Sequence, residues 1–516
     1  MKKLRGFALL LAGLMLLASC APSSNGPQGS NAPSAPGKND LIVAVASEPV
    51  TLDPSDQNDS ASSLAIRQMY DTLIIQDEEM NLTPGLAESW EFTDDTTLVL
   101  HLRKDVKFHN GETFTSADVM YSLERALANP KVSSFIDSID LASSKAVDEY
   151  TVELKTTIPY VPLLTNLSHT AISMVNQKAV EEAGDAFNET PCGTGPFKLK
   201  SWTHGDRVEF VRNDDYWGDK PAYENLIFRA IPENANRAIE VETGGVDIAL
   251  SLAPNDGTRL KDNPDVNVVI YSGLSTTGIQ INTTAKPFDD VRVRQALNYA
   301  CDYQSIGESV YEGYGMRSIC PMSSQVWGAN KDLTPYSYDP AKAKALLAEA
   351  GYPDGLPEKI LLVTNDNRQR IDTFEIMQSQ LAEVGIESEV AVRDMATLAS
   401  FIPGDYELFI AGWGCTTGDP DNGLYQTFNS NSGTANSARI QFRDPQIIDL
   451  LEQGRAEADT DARYEIYQQA QALIWDACPW IWFWQPDTID ATTSQVKGYV
   501  PHPSGYYQFF AKVTFE

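Results

Sequence analysis

The chain has 516 residues, of which 71 are acidic and 39 basic, giving a formal net charge of −32. Its hydrophobic content of 42% is sufficient for large cores and excludes a mostly disordered chain. The acidic excess argues against a nucleic-acid partner, because phosphate binding requires clustered Lys and Arg. No apolar run is long enough to suggest a polytopic membrane protein. By length, the chain predicts about three compact units.

The first residues carry the pattern of an export signal. Lys2 and Lys3 precede an apolar run over 7–18, which is too short to span a bilayer but typical of a secretory signal. The run ends in LASC, which resembles the bacterial lipobox. That resemblance implies a lipoprotein signal peptide over 1–19 and diacylation of Cys20, and two acyl chains anchor a protein stably. The alternative is an ordinary signal peptide with a cysteine nearby by chance.

The next segment, 20–40, is composed mainly of Pro, Ser, Gly, Ala and Asn, and we predict a flexible tether. Five cysteines then remain in the body, so at least one is unpaired within the chain. Cys301 and Cys320 are the best candidates for a disulfide, since an exported chain permits one. No CxxC spacing occurs, which excludes thioredoxin-like and zinc-ribbon sites.

The first half of the body mixes strands and helices without strict order. Apolar composition and alternation predict strands at 41–46, 97–103 and 150–155. The spacing of apolar residues predicts a helix over 115–127, with Ser116 as its cap. This half therefore indicates an α/β unit with no simple repeat.

The second half is more regular. Helices are predicted over 289–301 and 339–351, the second beginning after Asp339 and ending at Gly351. A β-α-β-α-β series follows, which predicts an open, largely parallel sheet with covering helices. The series comprises the strand 359–364, the helix 370–385, the strand 386–392, the helix 395–402 and the strand 406–413, and one more long helix is predicted over 461–477.

Searches for catalytic and metal-binding patterns are negative. The chain has no GxSxG, HExxH, GxGxxG or GxxxxGK[ST] motif, and its five histidines share no ligand spacing. We therefore expect no enzymatic activity and neither cofactor nor metal. A lipid-anchored hydrolase of surface polymers remains as a weak alternative without a visible nucleophile.

Ten short segments, taken together, resemble one family. They occur in family order across nearly the whole body: SEPVTLDP (47–54), YDTLI (70–74), PGLAESWE (84–91), LRKDVKFHNGE (102–112), GTGPFKL (193–199), RNDDYWG (212–218), GGVDIAL (244–250), NTTAKPFDDVRVRQALNYACD (282–302), YELFIAGW (406–413) and GDPDNGLY (418–425). The chain is similar to the family 5 extracytoplasmic solute-binding proteins, the dipeptide, oligopeptide, glutathione and nickel binders of ABC importers.

The resemblance implies an α/β, two-lobed fold of the type II periplasmic-binding-protein class. The first lobe would comprise 40–282 and 482–516, with an extra subdomain near 75–188. The second lobe would comprise 283–481. Two chain crossings between lobes permit closure over a ligand, which would then pass to an ABC permease. We expect a monomer on the outer face of the cell membrane, periplasmic if the cell is Gram-negative.

The resemblance also implies where ligand contacts lie. Trp413 follows a strand and would project into the cleft, with Thr416, Thr417 and Asp419 beside it. In peptide binders of the family an Asp after this Trp pairs with the ligand's α-ammonium, and that position falls on Thr416 here. Either Asp419 or Asp421 takes that role, or the ligand lacks a free amine at this place.

Two further segments complete the expected site. Arg368 and Arg370 are candidates to hold a ligand carboxylate in bidentate fashion, and Tyr70 is a candidate third wall. The leading hypothesis is a receptor for short peptides, including glutathione-like ones. The alternative is the same scaffold with a nickel chelate, opine, oligosaccharide or other organic solute.

Overall fold

Two large β-sheets, one in each lobe, organise the chain. The computed structural model describes residues 38–516 except 58, 395–397, 399–406 and 506. We call residues 38–272 and 487–516 the first lobe and residues 275–485 the second lobe, because the two sheets draw their strands from these ranges. The α/β, two-lobed architecture predicted from the sequence is confirmed.

The first-lobe sheet is built around a buried central strand, Asp40–Val45. This strand pairs in parallel with Asn225–Ala230 on one side and with Ile248–Ala249 on the other. Its apolar run DLIVAV is buried by elements on both faces, as expected for a central strand. In spatial order the seven strands are Val266–Ser272, Asp487–Thr493, Ile248–Ala249, Asp40–Val45, Asn225–Ala230, Arg207–Arg212 and Phe197–Thr203.

A smaller four-stranded sheet lies within the first lobe, in the order Ala87–Asp94, Thr97–Leu102, Thr151–Lys155 and Lys145–Asp148. The strands predicted at 97–103 and 150–155 are therefore confirmed. Two hairpins pair Ile74–Gln76 with Leu82–Pro84 and Val496–Lys497 with Thr514–Phe515. The helices of this lobe are Ser60–Met69, Ser116–Ala128, Leu163–Asn166, Gln177–Ala183, Asn234–Glu242 and Pro254–Leu260.

The helix predicted over 115–127 is present, but its predicted cap is wrong. Thr115 is the N-cap residue, and its backbone N–H and hydroxyl donate to the carboxylate of Asp118. The Ser116 hydroxyl donates instead to the carbonyl of Asp148, which ties the helix to the small sheet.

The second-lobe sheet is mixed rather than largely parallel. Ile360–Thr364 pairs in parallel with Ser388–Val392 and with Leu408–Gly414, as the β-α-β-α-β pattern predicts. Ser275–Ile281 pairs antiparallel with Leu408–Gly414 and with Trp480–Gln485, whose far edge pairs with Met316–Arg317. The antiparallel half comes from strands far apart in the chain, which local periodicity does not reveal.

Eight helices of the described residues belong to the second lobe. They are Val291–Ala300, Tyr303–Val310, Pro340–Glu349, Arg368–Glu383, Gln426–Phe428, Ala435–Ile440, Pro445–Ala456 and Thr460–Ala477. Helices were predicted at four of these positions, and Asp339 accepts a hydrogen bond from Lys342 N as the predicted N-cap. The helix predicted over 395–402 lies largely outside the described residues.

The first crossing between the two sheets lies earlier in the chain than the sequence suggested, and the second crossing lies later. The crossings lie at 273–274 and at Pro486, rather than near Asn282 and Trp482. The strands Ser275–Ile281 and Trp480–Gln485 therefore belong to the second lobe, because they pair with each other. The extra subdomain near 75–188 stays a prediction.

Three of the family-like motifs meet at one buried carboxylate, Asp71 of the YDTLI segment. Its oxygens accept hydrogen bonds from Thr194 Oγ1 (2.8 Å), Trp217 Nε1 (2.8 Å) and Tyr216 OH (3.2 Å). Burial raises the pKa of Asp71, and the three donors oppose that rise. Because these partners come from GTGPFKL and RNDDYWG, the motifs serve the packing of the first lobe rather than ligand contact.

The five described cysteines are all buried and free. The predicted disulfide between Cys301 and Cys320 is therefore wrong. Cys301 packs in a core cluster with Met377, whereas Cys320 belongs to a separate cluster around Trp480. Within the described ranges, the structure contains no helix with both the length and the apolar character needed to cross a membrane.

Candidate ligand-binding site

A cavity of about 500 Å³ opens between the two lobes. Its size falls within the range of small-molecule sites. The first lobe contributes Gln57, Asp59, Ser60, Ser63, Lys131, Ser134, Phe135, Asn166 and His169, and the second contributes Trp413, Gly414, Thr416, Asp421, Asn422, Gln426 and Thr434. We call it the central cavity.

The second-lobe wall is a segment that follows the strand Leu408–Gly414 and folds back on itself. Trp413 Nε1 donates to the carbonyl of Asn422 (3.2 Å), and Thr416 Oγ1 donates to Asn422 Oδ1 (3.3 Å). The turn between them uses a positive φ of 70° at Gly418, a conformation that favours glycine. Both predicted residues, Trp413 and Thr416, thus line the central cavity.

Asp419 has a structural partner. Its two oxygens accept from Arg463 Nη2 (2.7 Å) and Nη1 (2.9 Å), and both side chains are buried. The Arg463 Nε also donates to the carbonyl of Gly454. Asp419 lies on the far side of the segment, where a second cavity of about 830 Å³ opens. This geometry favours a structural role for Asp419 over the predicted contact with the ligand, because Asp419 is paired with Arg463 and does not line the central cavity.

Asp421 joins the two lobes. Its Oδ2 accepts from the hydroxyl of Tyr160 in the first lobe (3.0 Å), and its Oδ1 lies 2.9 Å from Arg455 Nε. Burial raises the pKa of Asp421 to about 6, although the positive charge of Arg455 acts to lower it. The backbone N–H of Val161 donates to the carbonyl of Arg455, so two hydrogen bonds cross the cleft here.

The first-lobe wall presents mainly neutral groups. His169 stacks on Phe135 at 3.8 Å between ring centroids, and burial lowers the pKa of His169 to about 3, so its ring is neutral. Lys131 is ion-paired with Asp56 (2.8 Å). Asn166 donates to the Tyr160 hydroxyl (2.8 Å), which links this wall to Asp421.

Two other predicted residues are buried away from the central cavity. Tyr70 is fully buried in the first-lobe core, where its ring packs against the backbone of Gly193, so it forms no wall of the cavity. Thr417 is buried too, and its carbonyl accepts from Gln76 Nε2 of the first lobe (2.9 Å). Thr417 therefore connects the lobes through its backbone.

The two predicted arginines have different environments. The Arg368 side chain is 75% exposed and pairs with Asp372 one helical turn later. Arg370 lines a third cavity of about 300 Å³, formed by both lobes beside Pro486. Its Nη1 donates to Asn365 Oδ1 (3.1 Å), and burial lowers the pKa of Arg370.

Sequence reasoning missed most of the first-lobe wall. Its residues come from three separate stretches near 57–63, 131–135 and 166–169, and none shares a spacing with the 413–425 segment. The one available signal was the N-cap pattern at Asp59, which marks the start of the helix Ser60–Met69. Within the described residues, no group of His, Cys, Asp and Glu is arranged to hold a metal.

Fold, motifs and cavity define a receptor for small solutes. The chain matches the family of bacterial extracellular solute-binding proteins, family 5, over residues 81–435, and it belongs to this family. Members are solute-binding proteins rather than enzymes, and they serve ABC importers.

Three relatives illustrate the likeness. Heme-binding protein A of Haemophilus influenzae is 29% identical, with 98% of each chain covered. The glutathione-binding protein GsiB of Escherichia coli is also 29% identical, covering 98% of this chain and 97% of its own. The solved structure of the periplasmic binding protein DppA of Helicobacter pylori, in complex with the peptide STSA, superposes with a TM-score of 0.82. It is 27% identical and covers 93% of this chain and 98% of its own.

We expect Arg463→Met to destabilise the protein strongly, because it leaves the buried Asp419 carboxylate without its partner. Loss of one partner of a buried pair costs about 3–5 kcal/mol. Urea unfolding measures the change, and adding Asp419→Asn should recover part of the loss. Arg368→Met is the matched control, since its exposed pair contributes at most about 1 kcal/mol. Equal effects of the two substitutions would contradict the assignment.

Proposed function

We propose that the protein captures short peptides in the central cavity and delivers them to the membrane permease of an ABC importer. The ligands would be di-, tri- or oligopeptides or glutathione-like molecules. The observation that carries the proposal is the cavity of about 500 Å³ walled by both lobes. A glutathione binder and a peptide-bound protein among the similar chains support it.

Closure of the lobes would bury the ligand. Only two chain crossings, at 273–274 and at Pro486, join the sheets, which suits a hinge. Two hydrogen bonds also connect the lobes: the Tyr160 hydroxyl donates to Asp421, and Val161 N–H donates to the Arg455 carbonyl. The protein would act as a monomer and release its ligand chemically unchanged.

Arg370 would hold the carboxylate of a ligand that extends from the central cavity into the neighbouring cavity beside Pro486. Its guanidinium is partly desolvated in the cavity beside Pro486, and no carboxylate lies within ion-pair distance of it among the described residues. A guanidinium binds a carboxylate through charge-assisted hydrogen bonds, which are strong when water is excluded. Arg368 is a weaker candidate for binding the carboxylate, because its side chain is exposed and pairs with Asp372.

A non-peptide solute is the second candidate. Most side chains lining the central cavity carry neutral hydroxyl or amide groups, and Trp413 adds an aromatic face. Such a lining also suits an oligosaccharide or an opine, and one relative is named for heme binding. Mass spectrometry of the ligand released from freshly purified protein separates the two candidates.

A peptide library tests the leading function directly. A peptide present at 100 times its Kd should stabilise the folded protein by about 2.7 kcal/mol, because it binds only the folded state. Thermal unfolding of the mature chain with pools of di-, tri- and tetrapeptides measures this. The absence of any shift across all pools would refute peptide capture.

Substitution of Arg370 tests the carboxylate site. Arg370→Gln should weaken a bound peptide by about 1.5–3 kcal/mol, the usual value for a hydrogen bond to a charged group. Isothermal titration measures the affinities of the free acid and of the C-terminal amide of one peptide. Arg368→Gln should leave both affinities unchanged, and an equal loss for acid and amide in Arg370→Gln would contradict the role.

A lipid anchor at Cys20 is the third expectation. The LASC pattern supports cleavage before Cys20 and attachment of acyl chains to its thiol. Cys20→Ala should abolish incorporation of a clickable palmitate analogue and release the protein from washed membranes, because one or no acyl chain anchors weakly. Cys192→Ala is the control, and label retained in Cys20→Ala would contradict the assignment.

A further inference from the structure

Three carboxylates of the first lobe, Asp53, Asp56 and Asp59, lie within seven residues of one another in the chain, and two of them have a cationic partner. Asp53 accepts from both terminal nitrogens of Arg125, at 2.7 and 3.1 Å. Asp56 pairs with Lys131 at 2.8 Å. Asp59 lines the cavity itself, and among the described residues no cation lies within ion-pair distance of it. Of these three carboxylates, Asp59 alone has no cationic partner among the described residues.

The described residues of the second lobe contribute no unpaired carboxylate to the central cavity. Asp419 is taken by Arg463, and Asp421 is taken by Arg455 together with the Tyr160 hydroxyl. Both carboxylates are buried in these pairs, so a ligand would have to displace an arginine to reach them. Asp59 is therefore the one carboxylate lining the central cavity without a cationic partner in the described part of the chain.

The geometry of Asp59 leaves one oxygen for a ligand. Its Oδ1 accepts from Ser62 N (2.8 Å) as the N-cap of the helix Ser60–Met69. That interaction uses one oxygen and fixes the rotamer. The helix terminus contributes only about half a positive charge, which does not neutralise the carboxylate. A cation entering a partly desolvated cavity needs such a partner, because burying an unpaired charge is costly.

We propose that Asp59 binds the ammonium group of the ligand from the first lobe, while neutral Thr416 faces it across the cavity. This inference rests on the proposed capture of peptides and specifies which peptides: those with a free N-terminal amine. The charge that recognises the amine is thus carried by the lobe opposite to the 413–425 segment. Asp59 is a specificity-determining residue, since a neutral cap would leave the rest of the cavity unchanged.

The test compares a pool of tripeptides with its N-acetylated copy, using thermal unfolding and isothermal titration on the mature chain. The wild type should bind the free-amine pool more tightly. Asp59→Asn keeps the helix cap, because Asn caps as well as Asp. It should weaken the free-amine pool by roughly 10- to 100-fold, as expected for a lost charge-assisted bond. It should leave the acetylated pool unchanged.

Two further variants make the test specific. Asp339→Asn changes another N-cap with the same 2.8 Å hydrogen bond, at a residue that lines none of the three cavities described above, and should alter neither affinity. Thr416→Asp added to Asp59→Asn should restore binding of the free-amine pool from the other wall. If the wild type does not prefer the free-amine pool, or if Asp59→Asn weakens both pools equally or neither of them, the inference is overturned while peptide capture stands. If neither pool binds the wild type, both are overturned.

Discussion

Two buried ion pairs hold the segment 413–425, which lies between the central cavity and the second cavity of about 830 Å³. Arg463 fixes Asp419 on one side, and Arg455 fixes Asp421 on the other. A buried carboxylate without its partner would cost several kcal/mol, so the segment has little freedom to move. Its placement sets the positions of Trp413 and Thr416, and it gives Tyr160 of the first lobe an acceptor across the cleft. The shape of the central cavity depends on these two arginines.

Local sequence signals predicted much of the fold. Apolar alternation and caps located strands such as Asp40–Val45 and helices such as Pro340–Glu349 to within a few residues. Three of the family-like motifs, YDTLI, GTGPFKL and RNDDYWG, do not line the central cavity and are held together instead by the hydrogen bonds of Asp71. The sequence did not reveal that Ser275–Ile281 and Trp480–Gln485 pair in one sheet, because strand pairing is a long-range property.

The site was predictable only where it follows a strand. Trp413 and Thr416 line the cavity because the strand Leu408–Gly414 ends at its edge. Asp419 looked equally suitable, but its arginine partner lies on a helix far along the chain, and no spacing reveals such a pairing. Tyr70 was misplaced because an aromatic residue in a motif serves packing as readily as binding. Asp59 differs from Asp53, Asp56 and Asp421 in having no cationic partner among the described residues, a difference that only the three-dimensional structure reveals.

The order of strands in the first-lobe sheet has a consequence for biogenesis. The edge strand Val266–Ser272 pairs with Asp487–Thr493, and this late strand also pairs with Ile248–Ala249. As the polypeptide is made from its N-terminus, the second lobe can complete its sheet before Asp487–Thr493 has appeared. The first lobe stays open at one edge until then. Chaperones that shield unpaired strand edges would therefore be needed longest by the lobe that is made first.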